Sequence, residues 1–185
     1  MAGEQVIAAP RRKVWAALND PEVLRQAIDG CETFERTAPD SFAVRLTTGI
    51  GPVKLGFGGA VTLADVDAPN GYTLIGEGTG AGAGFARGKA RVSLADVAGS
   101  ATRISYQVEV EVGGKLAQIG ARLIDQAARK QADSFFTRFA SIVAEGGSAA
   151  PAHMAGWSRG PTWLVAVIMA LAALAVGVLA GRLWG

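Results

Sequence analysis

Histidine and cysteine are almost missing from this chain. Among 185 residues there is one cysteine, Cys31, and one histidine, His153. A single cysteine excludes an internal disulfide framework and any cysteine cluster for metal. With no histidine in the first 145 residues, that stretch can form neither a histidine-based triad nor a histidine metal site. Charge is scarce too, at 18% of residues. All 16 acidic residues fall at or before Glu145, as do all 18 cations except Arg159 and Arg182. The first 145 residues are therefore neutral, and the formal +2 comes from the two outlying arginines. A basic nucleic-acid footprint is absent. At 50% hydrophobic the chain is also far too apolar to be disordered.

Apolar residues and glycine are plentiful. Thr162 to Ala180 reads TWLVAVIMALAALAVGVLA, without a charge. Roughly 20 such residues, at about 1.5 Å each, cross about 30 Å of hydrocarbon. This predicts a transmembrane helix over 162–181, with Trp163 and Trp184 at the interfaces and Arg159 and Arg182 snorkelling outward. A buried core helix is the alternative, but a helix apolar all round would find little protein to cover it. Residues 146–161 contain GGSAAPAHMAG, small and uncharged, and are expected to be a flexible linker. The first ten residues lack the pattern of a signal peptide. The expectation is a single-pass C-terminal anchor in the cytoplasmic membrane, with the domain at 1–145 on the cytoplasmic side.

Within 1–145 the pattern changes twice. Gly3 to Ala9 reads as a first strand. Pro10 opens a helix with Val14, Trp15 and Leu18 on one face. Asp20 and Pro21 then cap and start a second short helix, whose buried face is Val23, Leu24, Ala27 and Ile28, and Gly30 ends it. From Cys31 to Val112 the period is two. Phe42, Val44 and Leu46 share one parity, as do Val53, Leu55, Phe57, Val61 and Leu63, and Ile104, Tyr106, Val108, Val110 and Val112. Alternation of apolar and polar faces predicts antiparallel strands covered on one side. Turn signals at Pro39-Asp40, Gly51-Pro52, Pro69-Asn70-Gly71 and Gly99-Ser100 divide the stretch into about six. After Gly113-Gly114 the period becomes helical, with Leu116, Ile119, Leu123, Ile124, Ala127, Phe135, Phe139 and Ile142 predicting one unbroken helix over Lys115–Ala144. The fold class expected is α+β: a curved antiparallel sheet of about seven strands around a long C-terminal helix.

Between Gly76 and Gly84 glycine stands at every second position. A phosphate loop would need a helix to follow, and strand-like sequence follows instead. The stretch is expected to be a hairpin whose strands approach other backbone closely. It could also leave room on the concave face, and the two readings are compatible.

Chemistry-bearing constellations are few. Glu109 and Glu111 lie on the polar parity and are expected in solvent. Arg87, Lys89 and Arg91 make a basic outer stripe, either a solvated face or a docking patch for an acidic partner or anionic headgroups. Cys31 is expected to be a small buried filler and Trp15 a core anchor. The candidate ligand cavity is the inner surface: Phe42, Val44, Leu46, Leu55, Phe57, Tyr106, Val108, Ile119 and Leu123. Such a lining suits a long apolar molecule, with the Tyr106 hydroxyl as a polar handle.

VWAALNDPEVL (14–24), IDGCE (28–32), IGPVKLGFGGAVTL (50–63), YTLIGEG (72–78), GFARGKA (84–90) and VGGKLAQIGARLID (112–125) resemble the CoxG family of carbon monoxide dehydrogenase subunits over residues 3 to 145. Asp29 departs from the proline usual there, which predicts a local turn difference. The resemblance implies a START-like (SRPBCC) helix-grip fold and no catalytic motif. It also implies association with a molybdenum hydroxylase of the carbon monoxide dehydrogenase type at the membrane. No intrinsic cofactor or metal is expected; a quinone or lipid would fit the cavity. The rival reading is a carrier of lipids or hydrophobic metabolites without an enzyme partner. A cyclase- or dehydratase-like enzyme on this fold would need inward-pointing charges, which the strand parity disfavours.

Overall fold

The computed structural model describes residues 2–145 apart from 51, 52, 81 and 83. The expected linker and membrane helix lie outside the described residues. Among the described residues, no helix is long and apolar enough to cross a membrane.

Strand β1 (Ala2–Ile7) leads into helices α1 (Arg11–Leu18) and α2 (Pro21–Ala27). Six strands follow: β2 (Cys31–Ala38), β3 (Ser41–Ile50), β4 (Val53–Asp67), β5 (Gly71–Gly80), β6 (Gly84–Val97) and β7 (Ala101–Gly113). They form one antiparallel sheet in the order β1-β7-β6-β5-β4-β3-β2. The apolar parity of each strand faces inward. Phe42, Val44, Leu46, Phe57, Val61, Ile104, Tyr106 and Val108 are buried in one core with Val14, Leu24 and Ile28 of the helical segment.

Local chemistry sets the joints. Asp20 caps α2, its carboxylate accepting from the Glu22 N–H at 2.9 Å, and Pro21 occupies the first turn where no donor is needed. Thr102, fully buried, gives its hydroxyl proton to the Ala9 carbonyl at 2.7 Å, tying the end of β1 to β7. Arg36 donates to the Asn19 carbonyl at 2.8 Å and lies over the Phe42 ring at 4.6 Å, closing the end of the sheet where α1 meets α2.

The C-terminal helix differs from the expectation. It is broken into α3 (Lys115–Gln118) and α4 (Ala121–Glu145). Gly120 adopts φ +95°, a left-handed conformation open to glycine that ends the first piece. The break resets the helical phase. The buried stripe of α4 is Ala128, Gln131, Ala132, Phe135, Phe136, Phe139 and Val143. Carried back by one turn, this stripe reaches Ile124 and leaves Leu123 on the outer side.

Candidate ligand site in the concave face

The register places the glycines where the sheet faces the helix. Gly76, Gly78 and Gly80 are buried and share the parity of Tyr72 and Leu74. One cross-strand row runs Phe42, Val61, Gly76, Gly88, Val110 from β3 to β7. Another runs Leu46, Phe57, Gly80, Gly84. Large side chains thus stand at the β3–β4 side, and the middle of the concave face has none. The same glycines permit close backbone approach. A Cβ at Gly84 would meet the Gly113 carbonyl oxygen, and one at Gly88 the Glu109 carbonyl oxygen.

Most of the residues expected to line a cavity point inward. Phe42, Val44, Leu46, Phe57, Tyr106 and Val108 are buried, and Leu55 and Ile119 are half-buried against the same core. Leu123 is not among them. At 38% exposure it stands outside the core, because five residues before Ala128 is the opposite side of α4 from its buried stripe.

Tyr106 is the polar feature of this surface. Its ring stacks on Phe136, with centroids 6.2 Å apart. Its hydroxyl is buried and has no hydrogen-bond partner among the described residues. Burial, assisted by the negative Asp133, pushes the phenol up to about 12, so it stays neutral and able to donate. A buried donor left unpaired costs about 1–3 kcal/mol. A ligand with a neutral acceptor, such as a carbonyl, would recover that loss. Phe136, which sets the Tyr106 ring, is absent from the sequence-based lining. Its position three residues before Phe139 on a helix was the available signal.

A polar cleft of about 170 Å³ opens beside this face, between α4 and the rim of β3. Asp29, Thr47, Thr48, Ala127, Lys130 and Gln131 line it. Gln131 fills the gap in the apolar periodicity of α4. It is buried and donates from Nε2 to the Asp29 carbonyl at 2.7 Å. The Asp29 carboxylate pairs with Arg138 at 3.0 Å. The residue that departs from the usual proline therefore pins the α2–β2 junction to α4. Gly30 next to it, at φ +73°, lies against the Thr47 carbonyl oxygen, where a Cβ would not fit.

The other candidates resolve as follows. Cys31 is half-buried and its thiol is raised to about 11, chiefly by burial, so it is no nucleophile at neutral pH. Trp15 packs edge-on against the buried Tyr72, centroids 5.5 Å apart. The basic outer stripe is largely neutralised by its own sheet. Arg87 makes a forked contact to Glu111, at 2.9 Å in its closest approach, and Lys89 lies 3.6 Å from Glu109. Arg91 stands opposite the uncharged Gln107. As a docking patch for an acidic partner the stripe offers little free charge. Among the described residues no cluster of three or more His, Cys, Asp or Glu could hold a metal ion.

No curated protein matches the chain. Solved structures do. A conserved protein from Geobacillus kaustophilus superimposes with a TM-score of 0.74 at 28% identity, covering 78% of this chain and 95% of its own. A START superfamily protein from Mycobacterium smegmatis gives 0.60 at 12% identity, with 80% and 98% covered. The ZhuI aromatase/cyclase from Streptomyces sp. R1128 gives 0.56 at 14%, with 80% and 97% covered. The last two show the fold alone, a START-like one. The family model for the carbon monoxide dehydrogenase subunit CoxG matches residues 3–144, nearly the whole described domain, and the chain belongs to that CoxG family.

Proposed function

We propose that this protein is a non-enzymatic, membrane-tethered accessory of a molybdenum hydroxylase of the carbon monoxide dehydrogenase type. In this reading residues 162–181 anchor the helix-grip domain to the cytoplasmic membrane, and the domain recruits the enzyme there. The observation that carries the proposal is the family match over residues 3–144. The apolar run at 162–180 supports the tether. Native membranes solubilised and captured through the full chain should yield a molybdenum hydroxylase. A chain lacking residues 157–185 should remain folded but no longer hold that enzyme at the membrane. Capture without any such enzyme overturns the proposal.

A carried ligand is the second part of the reading. The unpartnered Tyr106 hydroxyl supports it, set in an apolar face whose centre lacks side chains. An apolar molecule with a carbonyl acceptor suits that surface, and a quinone has this chemistry; a lipid ester is the alternative. Mass spectrometry of the intact protein as purified should find one such molecule bound. Absence of any ligand, together with no uptake of added quinone or lipid, removes this part. A bound lipid without an enzyme partner would favour the carrier reading.

A further inference from the structure

Gln131 satisfies only one end of its amide. Its Nε2 donates to the Asp29 carbonyl at 2.7 Å, which fixes which end is nitrogen. Its Oε1 accepts no hydrogen bond among the described residues, although the residue is only 8% exposed. The oxygen is not sealed in, because Tyr106 carries the one fully enclosed side-chain oxygen or nitrogen without a partner among the described residues. Oε1 therefore opens on the space that Gln131 lines, the cleft of about 170 Å³ between α4 and the end of β3. The tie to Asp29 accounts for the nitrogen and leaves the oxygen over.

The opposite wall supplies a donor. The Thr47 N–H donates to the Gly30 carbonyl at 2.9 Å, so Thr47 turns its backbone polar groups towards β2. Strand residues alternate, so Gly49 turns its N–H and C=O the same way. β2 begins at Cys31, opposite Leu46, and does not reach Gly49. The Gly49 N–H thus lies on an uncovered stretch of strand edge that lines the cleft. Nothing stands within 4 Å of where a Cβ on Gly49 would be, so the approach is clear. Lys130 lines the cleft from α4, exposed and without an ion pair among the described residues. Asp29, the carboxylate in the lining, is taken by Arg138 at 3.0 Å. Free charges beside the lining are of both signs. Lys54 stands opposite Gly49 in register, Glu32 accepts from the Thr47 hydroxyl at 2.9 Å, and Asp133 lies one turn beyond Lys130. A mixed surround does not favour a phosphate or another dianion. It favours a molecule that itself carries both signs.

We propose that this cleft binds the zwitterion of a small α-amino acid. The carboxylate meets the Lys130 ammonium and the Gly49 N–H, and the ligand's ammonium donates to Gln131 Oε1. At about 170 Å³ the cleft is smaller than the roughly 300–1,000 Å³ of sites for drug-sized ligands, so only a short side chain fits. None of its lining residues belongs to the apolar surface around Tyr106. The site is separate from the one proposed for a quinone or lipid, and it rests neither on that reading nor on the membrane tether.

Equilibrium dialysis of radiolabelled glycine against the full chain in phosphatidylcholine nanodiscs, with empty nanodiscs as the blank, tests it. Glycine should bind saturably, one per chain. Acetate lacks the ammonium, methylamine lacks the carboxylate, and glycine betaine keeps both charges but has no N–H. Each should compete at least about tenfold more weakly than unlabelled glycine, the worth of one hydrogen bond to a charged group. Lys130→Gln loses no ion pair, so it should unfold like the parent and still bind glycine at least about tenfold more weakly. Arg91→Gln, on the outer face of the sheet, should leave binding unchanged. Absence of saturable glycine binding overturns the proposal. So does acetate, methylamine or betaine competing as well as glycine, or full affinity retained in Lys130→Gln.

Discussion

Helix α4 meets the rest of the molecule in two ways along its length. From Phe135 onward it is core. Phe135 and Phe139 stack at 5.4 Å and are almost wholly buried, and Val143 continues the same stripe. Before Ala128 it presents Leu123 to solvent, with Ile124 and Ala127 only half-buried. The sheet shows a matching division. Phe42, Val44 and Leu46 of β3 fill their side, whereas Gly76, Gly78 and Gly80 of β5 leave theirs without side chains. One half of the grip is filled by large side chains, and the other is floored by glycine. Tyr106 sits at the junction, stacked on Phe136 with its hydroxyl unpartnered.

The sharpest way to break this comparison is to truncate each half. Phe139→Ala removes a fully buried ring and is expected to destabilise the domain by about 3–5 kcal/mol. Leu123→Ala outside the core is expected to cost about 0.5 kcal/mol or less. Denaturant unfolding followed by fluorescence measures both. Similar losses at the two positions would show that α4 is packed evenly.

Filling the glycine floor tests the other side. Gly78→Val places a side chain on the concave face, on a β-strand where a β-branched residue is at home. The expected outcome is a folded domain whose uptake of quinone or lipid falls at least tenfold, or about 1.4 kcal/mol. If the variant is destabilised by about 1–3 kcal/mol, as overpacking would do, that part of the cup is already solid.

Strand parity made the sheet and most of the inward-facing residues readable in advance. A strand with one covered face must alternate, and Phe42, Val44, Leu46, Tyr106 and Val108 lie where the alternation places them. The short helices were equally plain, because Asp20, Pro21 and Gly30 act locally. Two features were not readable in that way. Helical periodicity runs smoothly across Ile119 and Gly120, so apolar spacing alone does not reveal that Gly120 turns left-handed and splits the helix. Cross-strand ion pairing depends on register, and register depends on hairpin details. Arg87 and Lys89 therefore read as a free basic stripe, although Glu111 and Glu109 stand opposite them. Gln131 looked like a gap in the apolar stripe because its partner, the Asp29 carbonyl, is 102 residues away in sequence.

The most discriminating variant removes a single atom. Tyr106→Phe keeps the ring on Phe136 and removes only the unpartnered hydroxyl. If that hydroxyl served the fold, its loss would destabilise the empty protein. With no partner to lose, the variant should instead be equally stable or more stable by up to about 1 kcal/mol, while ligand affinity falls. The pH dependence provides an independent check on the same atom. Burial holds the Tyr106 phenol near 12, above the ordinary tyrosine value of 10.0. Between those values the unfolded chain gives up its proton first, so the folded state binds more protons. Stability is then full below pH about 10 and declines as pH rises towards 12. Tyr72, also raised by burial, contributes in the same direction, and so does Cys31, whose decline begins at about 9. Tyr106→Phe should remove only its own share of this alkaline loss, which unfolding curves taken between pH 9 and 11.5 on the two proteins would read as a shallower slope. An unchanged slope would mean that the hydroxyl is already solvated, and the case for a ligand acceptor at Tyr106 would go with it.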